Sequence, residues 1–199
     1  MATYKRLQVV KKVSNFAEAT ELLEYPLVEP KANEIRVKVI YTGVNLTDIN
    51  ICAGRFFVSG DLPYDLGFEP IGIVDRIGSS VKTELALGSP VLVTDPTRFD
   101  GFAEYVYKTT DYLVPLPDLR PEYLVSYGSG LTASIGIDIA GRVKPGDKVL
   151  IVAAAGGTGQ IAVQWAKYRG AYVIGTTSSE EKAAYLKSIG VNCVINYKQ

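Results

Sequence analysis

The 199-residue chain contains no histidine. That absence removes Ser-His-Asp triads, imidazole proton relays and His-containing zinc sites from the chemistry this polypeptide can perform. Cysteine is scarce: Cys52 and Cys193 lie in different segments and form neither a metal-ligand spacing nor a disulfide framework, so each is expected to be a buried small hydrophobe. Net charge is also missing. The 21 Lys and Arg balance the 21 Asp and Glu, and a pI near 6.3 gives no field to draw the chain to nucleic acid or to acidic membranes. Long apolar runs are absent at the N-terminus, where Met1 to Lys12 holds only Leu7, Val9 and Val10 between basic residues, too little for a signal segment or a span. The expectation is therefore a cytoplasmic protein with no nucleic-acid or membrane partner; a peroxisomal location stays open, because its signal would lie beyond Gln199. Reactive chemistry has to come from a bound cofactor or from hydroxyls, amides, carboxylates and lysines.

What is present centres on Ala153-Ala154-Ala155-Gly156-Gly157-Thr158-Gly159. The apolar run Val149 to Ala155 reads as a strand, and Gln160 to Lys167 opens as a helix with Ile161, Trp165 and Tyr168 about one turn apart. Ala171 to Thr177 reads as a second strand, Ser178 to Ile189 as a second helix and Val191 to Tyr197 as a third strand. Glycines between a strand and a helix inside a βαβ unit are the context a dinucleotide fingerprint needs, because a diphosphate must approach the N–H groups of a helix N-terminus that a side chain would block. Gly156, Gly157, Thr158 and Gly159 are the candidate diphosphate residues, with the Thr158 hydroxyl as an added donor; the plainer reading is a tight turn in which glycine only avoids clashes.

Cofactor choice is read about 20 residues further on, where an NAD enzyme carries an acid for the ribose 2′-OH. Here Thr176, Thr177 and Ser178 occupy that place, with no carboxylate before Glu180 and with Lys182 one turn beyond Ser178. Hydroxyls and a cation suit a 2′-phosphate, so NADP is the expected cofactor. The structural alternative is that Ser178 and Glu181 form a capping box and that Lys182 is an ordinary solvated helix residue.

Residues 1 to 120 differ in character. Residues 3–13 and 34–42 alternate as strands, with Ile35, Val37, Val39 and Tyr41 on one face and Arg36, Lys38 and Ile40 on the other. Glu18 to Lys31 reads as a polar connection, Val44 to Asp48 leads into a short helix ending near Gly54, and further strands are expected at 69–77, 81–94, 101–107 and 113–117, broken by Gly78-Ser79-Ser80 and Leu87-Gly88-Ser89-Pro90. Short strands punctuated by glycine turns indicate a barrel-like β domain. Residues 121 to 145 form a helical connection, interrupted at Gly128-Ser129-Gly130, and residues 146 to 199 hold the βαβ unit, so the fold class is α/β.

The order of these motifs, GVNLTD at 43–48, GFEPIGIV at 67–74, GFAEYV at 101–106, SGLTA at 129–133 and AAAGGTGQ at 153–160, resembles the medium-chain dehydrogenase/reductase superfamily and, within it, the zinc-independent quinone and enone reductase branch. The resemblance implies a GroES-like β-barrel domain followed by a partial Rossmann domain, a doubly wound parallel sheet of which only the first half is present. It implies hydride transfer from NADPH to the activated double bond of a small-molecule enone, of the 15-oxo-prostaglandin kind, or to a quinone. Ser178, Lys182 and Tyr197 are then expected on the 2′-phosphate, and Asn45 and Thr132 near the nicotinamide or the substrate carbonyl, although Asn45 serves equally well as a turn residue. Asp48 and Glu69 are expected to bond to backbone, and Tyr64 and Tyr127 are candidate pocket walls. Zinc enzymes of the superfamily place Cys, His and Cys at positions matching Asn45, Phe68 and Ser129, so no metal site is expected. With the second sheet half absent, one edge of the 149–155 strand would be unpaired. That leaves three expectations open: part of a longer chain, a homo-oligomer covering the edge, or a cofactor-binding fragment with little turnover.

Overall fold

The computed structural model describes residues 2–56 and 61–198. The chain divides into two compact units, Met1–Leu124 and Val125–Gln199.

The first unit is built from two antiparallel sheets. Strands β1 (Thr3–Val9) and β2 (Thr20–Pro26) pair along seven residues, from Thr3 opposite Pro26 to Val9 opposite Thr20, with the short helix α1 (Phe16–Ala19) between them. The expected polar connection over 18–31 therefore contains a strand. Composition concealed it because β2 is an edge strand, which tolerates outward Glu21 and Glu24 while its hydrogen bonds come from β1. Strand β3 (Ile35–Thr42) leads into α2 (Leu46–Cys52). After the two-residue β4 (Tyr64–Asp65), which adds to β1, come β5 (Pro70–Ile77), β6 (Pro90–Val93), β7 (Tyr105–Lys108) and β8 (Leu113–Pro115). The larger sheet has the order β7-β3-β5-β6-β8. The expected break at Leu87-Gly88-Ser89 is present, with Gly88 at φ +84°, and of the 81–94 segment only Pro90–Val93, after it, is strand.

The alternation expected in β3 holds over Ile35, Val37 and Val39, which share one core, and fails at Tyr41: the register shifts between Val39 and Tyr41, as at a β-bulge, and Tyr41 is 42% exposed. Arg36, on the other face, is 4% exposed. The buried guanidinium is satisfied by Asp75 at 2.6 Å and the Val28 carbonyl at 2.7 Å. Ile35, Val37, Val74, Val91 and Val106 fill one core and Val9, Ile51, Cys52, Tyr64 and Leu66 another, which makes Tyr64 core and not a pocket wall.

In the second unit Ser126 to Ala140 winds as one helical stretch in which α3 (Leu131–Ser134) is flanked by wide π turns at Ser126–Gly130 and Ile135–Ala140. The glycines widen this helix without breaking it: the Leu131 N–H reaches back to the Ser126 carbonyl, and a β-carbon at Gly130 would meet the Val125 carbonyl oxygen at 2.9 Å. Then follow β9 (Lys148–Ile151), α4 (Gly157–Tyr168), β10 (Tyr172–Thr177), α5 (Glu180–Ser188) and β11 (Cys193–Asn196). The sheet is parallel with the order β11-β10-β9. Ile151, Ala154, Val163, Ala166, Val173 and Leu186 form its core.

β9 is shorter than the apolar run that carries it. Val152–Ala155 turns, with Ala153 at φ +52°, and the Ala153 N–H passes to the Thr176 hydroxyl at 3.1 Å. An apolar run of this kind carries no signal for where a strand stops. Among the described residues β9 pairs only with β10; Leu150 on it is 58% exposed and Val152, just beyond its end, 72%. Cys193 is exposed on the edge strand β11 and not buried as expected, because it lies on the sheet face opposite the one filled by Val173.

Candidate functional site

The first cluster of site residues lies at the N-terminus of α4. Gly156 is its N-cap in extended conformation (φ −78°, ψ 171°), and Gly157, Thr158 and Gly159 are its first three residues. Helix geometry leaves the first amides without intrahelical acceptors, and the macrodipole makes that end positive. Gly156, Gly157 and Thr158 are exposed. Each glycine has a distinct reason. A β-carbon on Gly159 would stand 2.4 Å from the Ala153 carbonyl oxygen, so only glycine lets the helix approach the turn, whereas one on Gly157 would meet nothing closer than Ser129 Oγ at 3.5 Å. Gly157 is thus not required by packing, and its bareness keeps the approach to the amides open. Thr158 Oγ1 donates to Ser129 Oγ at 3.3 Å, tying the glycine turn to the π-widened segment.

A second cluster surrounds the C-terminal end of β10. Ser178 follows the strand, Lys182 is exposed in the first turn of α5, and Tyr197 is 63% exposed with its N–H on the Thr177 carbonyl at 3.1 Å. The capping box of the structural alternative, Ser178 with Glu181, is not formed. Ser179 is the N-cap, its Oγ accepting the Lys182 N–H at 3.3 Å, so the cap does not consume Ser178. The nearest acid, Glu180, accepts from the Asn196 amide at 2.8 Å.

Thr132 lies on α3 and its hydroxyl donates to the Gly128 carbonyl at 2.6 Å, which spends its proton but leaves oxygen lone pairs. Asn45 caps α2 in the first unit. Its Nδ2 donates to Glu69 Oε1 at 2.6 Å, and its own N–H donates to Asp48 Oδ2 at 2.8 Å. Asp48 bonds to backbone as expected, also accepting the Gly67 N–H at 3.1 Å. Burial pushes its carboxyl above the usual range, against the lowering effect of those N–H donors. Glu69 accepts from the side chain of Asn45. This pairing escaped sequence reading because the two residues are 24 positions apart; the signal available was Gly43, whose lack of a side chain admits the carboxylate. Ser129 and Thr176 were likewise missed as shapers of the glycine turn.

The residues that would correspond to zinc ligands do not fit a metal. Asn45 is engaged by Glu69, the Phe68 ring packs on Phe99 with centroids 5.8 Å apart, and Ser129 pairs with Thr158. Among the described residues no group of three or more His, Cys, Asp or Glu could hold a metal ion. No helix among them is long and apolar enough to cross a membrane.

A GroES-like unit followed by a glycine-turn βαβ unit defines a medium-chain dehydrogenase/reductase, and comparison with known proteins agrees. Residues 31–118 match the alcohol dehydrogenase GroES-like domain and residues 157–199 the zinc-binding dehydrogenase family. The chain belongs to the medium-chain dehydrogenase/reductase superfamily, in its quinone and enone reductase branch. It is 44% identical over 199 residues to a probable quinone oxidoreductase of Leishmania amazonensis, covering 99% of this chain and 57% of that protein. It is 42% identical to prostaglandin reductase-3 of Mus musculus, covering 98% of this chain and 52% of that one. The crystal structure of Escherichia coli quinone oxidoreductase complexed with NADPH matches all of this chain and 59% of its own, with 32% identity and a TM-score of 0.86. The chain spans about half the length of the curated relatives it matches.

Proposed function

We propose that this chain forms the GroES-like part and the diphosphate-binding part of an NADPH-dependent, zinc-independent reductase of α,β-unsaturated ketones or quinones. The observation that carries the reading is the α4 turn, where Gly159 packs on Ala153 while Gly157 stays bare over exposed helix amides. An uncharged, mobile cap would not need both. NADPH, when bound, supplies the hydride. In this reading the amides of Gly157 and Thr158 and the Thr158 hydroxyl hold the diphosphate, Gly156 and Gly159 set the turn, and Ser178, Lys182 and Tyr197 hold the 2′-phosphate. Asn45 donates its remaining amide N–H to the carbonyl of the acceptor, which gains negative charge as the hydride adds, and the Thr132 oxygen accepts from a carboxamide N–H. Neither task uses a metal or an imidazole.

Titration of this chain with NADPH and NADH by fluorescence, followed by loss of NADPH absorbance with a quinone and with a 15-oxo enone, tests the reading. Preferential NADPH binding is expected, and equal or absent binding of both nucleotides would overturn it. A second reading, a cofactor-binding fragment with little turnover, is supported by β9, which among the described residues pairs only with β10 and carries the exposed Leu150. It predicts NADPH binding without NADPH consumption in the same assay.

A further inference from the structure

Gly43, Asn45 and Glu69 form a unit more elaborate than a helix cap requires. Glu69 is 6% exposed, and its Oε1 takes the Asn45 Nδ2 donor at 2.6 Å. The carboxylate lies against the backbone of Gly43: a β-carbon there would stand 2.2 Å from Oε1 and 2.7 Å from both Cδ and Cγ of Glu69. The Gly43 N–H also reaches the Glu69 carbonyl at 3.3 Å. Asp48, fully buried, joins the same two turns a second time by accepting the N–H groups of Asn45 and Gly67. Two carboxylates therefore hold the Asn45 turn and the turn before β5 in one register.

The consequence concerns hydrogen-bond polarity. A carboxamide that can flip presents its donor and acceptor ends interchangeably, but an ionised carboxylate only accepts. Flipping Asn45 would set its Oδ1 against Glu69 Oε1, oxygen against oxygen, at a site where water is largely excluded. We propose that Glu69 is a positioning residue for Asn45: it locks the amide with its N–H side inward and leaves the second N–H as a fixed donor for a ligand carbonyl, and Gly43 is glycine to admit that carboxylate. The proposal rests on the reading of Asn45 as a residue that meets the acceptor carbonyl.

The decisive variant is Gly43→Ala. It leaves Glu69 chemically intact, yet its β-carbon displaces the carboxylate, so it should reproduce Glu69→Ala; Glu69→Gln keeps the volume but can flip together with Asn45, so it should lose part of the fixed polarity. The first readout needs no ligand. In the ¹H–¹⁵N spectrum the Asn45 side-chain pair, assigned by its loss in Asn45→Ala, should show one proton shifted strongly downfield, and that shift should vanish in Glu69→Ala and Gly43→Ala and shrink in Glu69→Gln. The second readout is duroquinone binding to the NADP⁺-loaded chain, expected to weaken about tenfold in Asn45→Ala, Glu69→Ala and Gly43→Ala alike, with no further loss in the Asn45→Ala/Glu69→Ala double variant. An Asn45 signal unmoved by Glu69→Ala overturns the proposal. So does weakened binding in Asn45→Ala with parent-like binding in Glu69→Ala and Gly43→Ala. If Asn45→Ala itself binds like the parent, the site reading fails and takes the proposal with it. Should Gly43→Ala fail to fold, Glu69→Gln carries the same distinction, because it keeps the shape of the side chain and loses only the fixed acceptor polarity: a parent-like Asn45 signal and parent-like binding in it would overturn the proposal.

Discussion

The carbonyl oxygen of Ala153 occupies the space that a side chain on Gly159 would need, 2.4 Å from the position of its β-carbon, with Ala154 Cα at 2.9 Å. Gly159→Ala must therefore push α4 off the turn. It is expected to lower unfolding free energy by about 1 to 3 kcal/mol and to weaken NADPH binding more than tenfold. Gly157→Ala, whose nearest neighbour would be at 3.5 Å, should unfold like the parent and still bind NADPH poorly. Urea unfolding and fluorescence titration of the two variants separate packing from ligand approach; equal effects on stability would refute that division of roles.

Lys182 is exposed on α5, and its backbone N–H, not its ammonium, serves the Ser179 cap. Lys182→Ala should fold normally and leave NADH affinity unchanged while the preference for NADPH falls about tenfold or more. Parallel titrations with both nucleotides check this, and an unchanged ratio removes Lys182 from the 2′-phosphate.

Lys108 is 3% exposed and its Nζ lies 2.7 Å from Asp95 and 2.8 Å from Asp100, both buried. Lys108→Met keeps the volume and removes the ammonium, leaving buried Asp95 with the Thr97 donors and buried Asp100 with Arg98 as their charge or hydrogen-bond partners. A loss of about 3 to 5 kcal/mol in urea unfolding is expected. A loss below about 1 kcal/mol would mean that water reaches the cluster.

The same cluster sets a pH dependence. Burial works to raise the Asp95 carboxyl, but the Lys108 ammonium and the Thr97 donors outweigh it and hold the group below its usual value. The unfolded chain then takes up a proton at this residue before the folded one does, so the stabilisation is complete above the ordinary aspartate value of about 3.9 and is lost as pH falls through the depressed one. Asp100 and Asp48 are raised by burial and run the opposite way: their folded forms hold the proton more tightly, a contribution present in acid and lost as pH rises through their folded values. Asp95→Asn should thus be least stable relative to the parent near neutrality, and the gap should close in acid. Denaturation midpoints between roughly pH 2 and 7 measure it; a gap that widens in acid would reverse the assignment.

Which parts of this were legible follows from the range of the forces involved. The glycine turn between a strand and a helix was readable because each cue is local: apolar residues, then glycines, then helical spacing. The bareness of Gly43 was visible too, but not its reason, since Glu69 is brought there only by the pairing of β3 with β5. β2 was hidden because an edge strand borrows its hydrogen bonds from β1 and needs no apolar signature. The cap of α5 was misplaced by one residue, as adjacent serines offer the same oxygen and only the backbone angles of Ser179 (φ −152°, ψ 155°) choose between them.

By itself the chain of residues determined the chemistry it could not perform, through the missing histidine, and the βαβ unit with its glycine turn, through short-range pattern. Tertiary structure alone decided where β9 ends, which glycine is needed for packing and which for approach, and the pairing of Asn45 with Glu69. Each of these depends on atoms distant in sequence meeting within a few ångströms, and no local propensity encodes such a meeting.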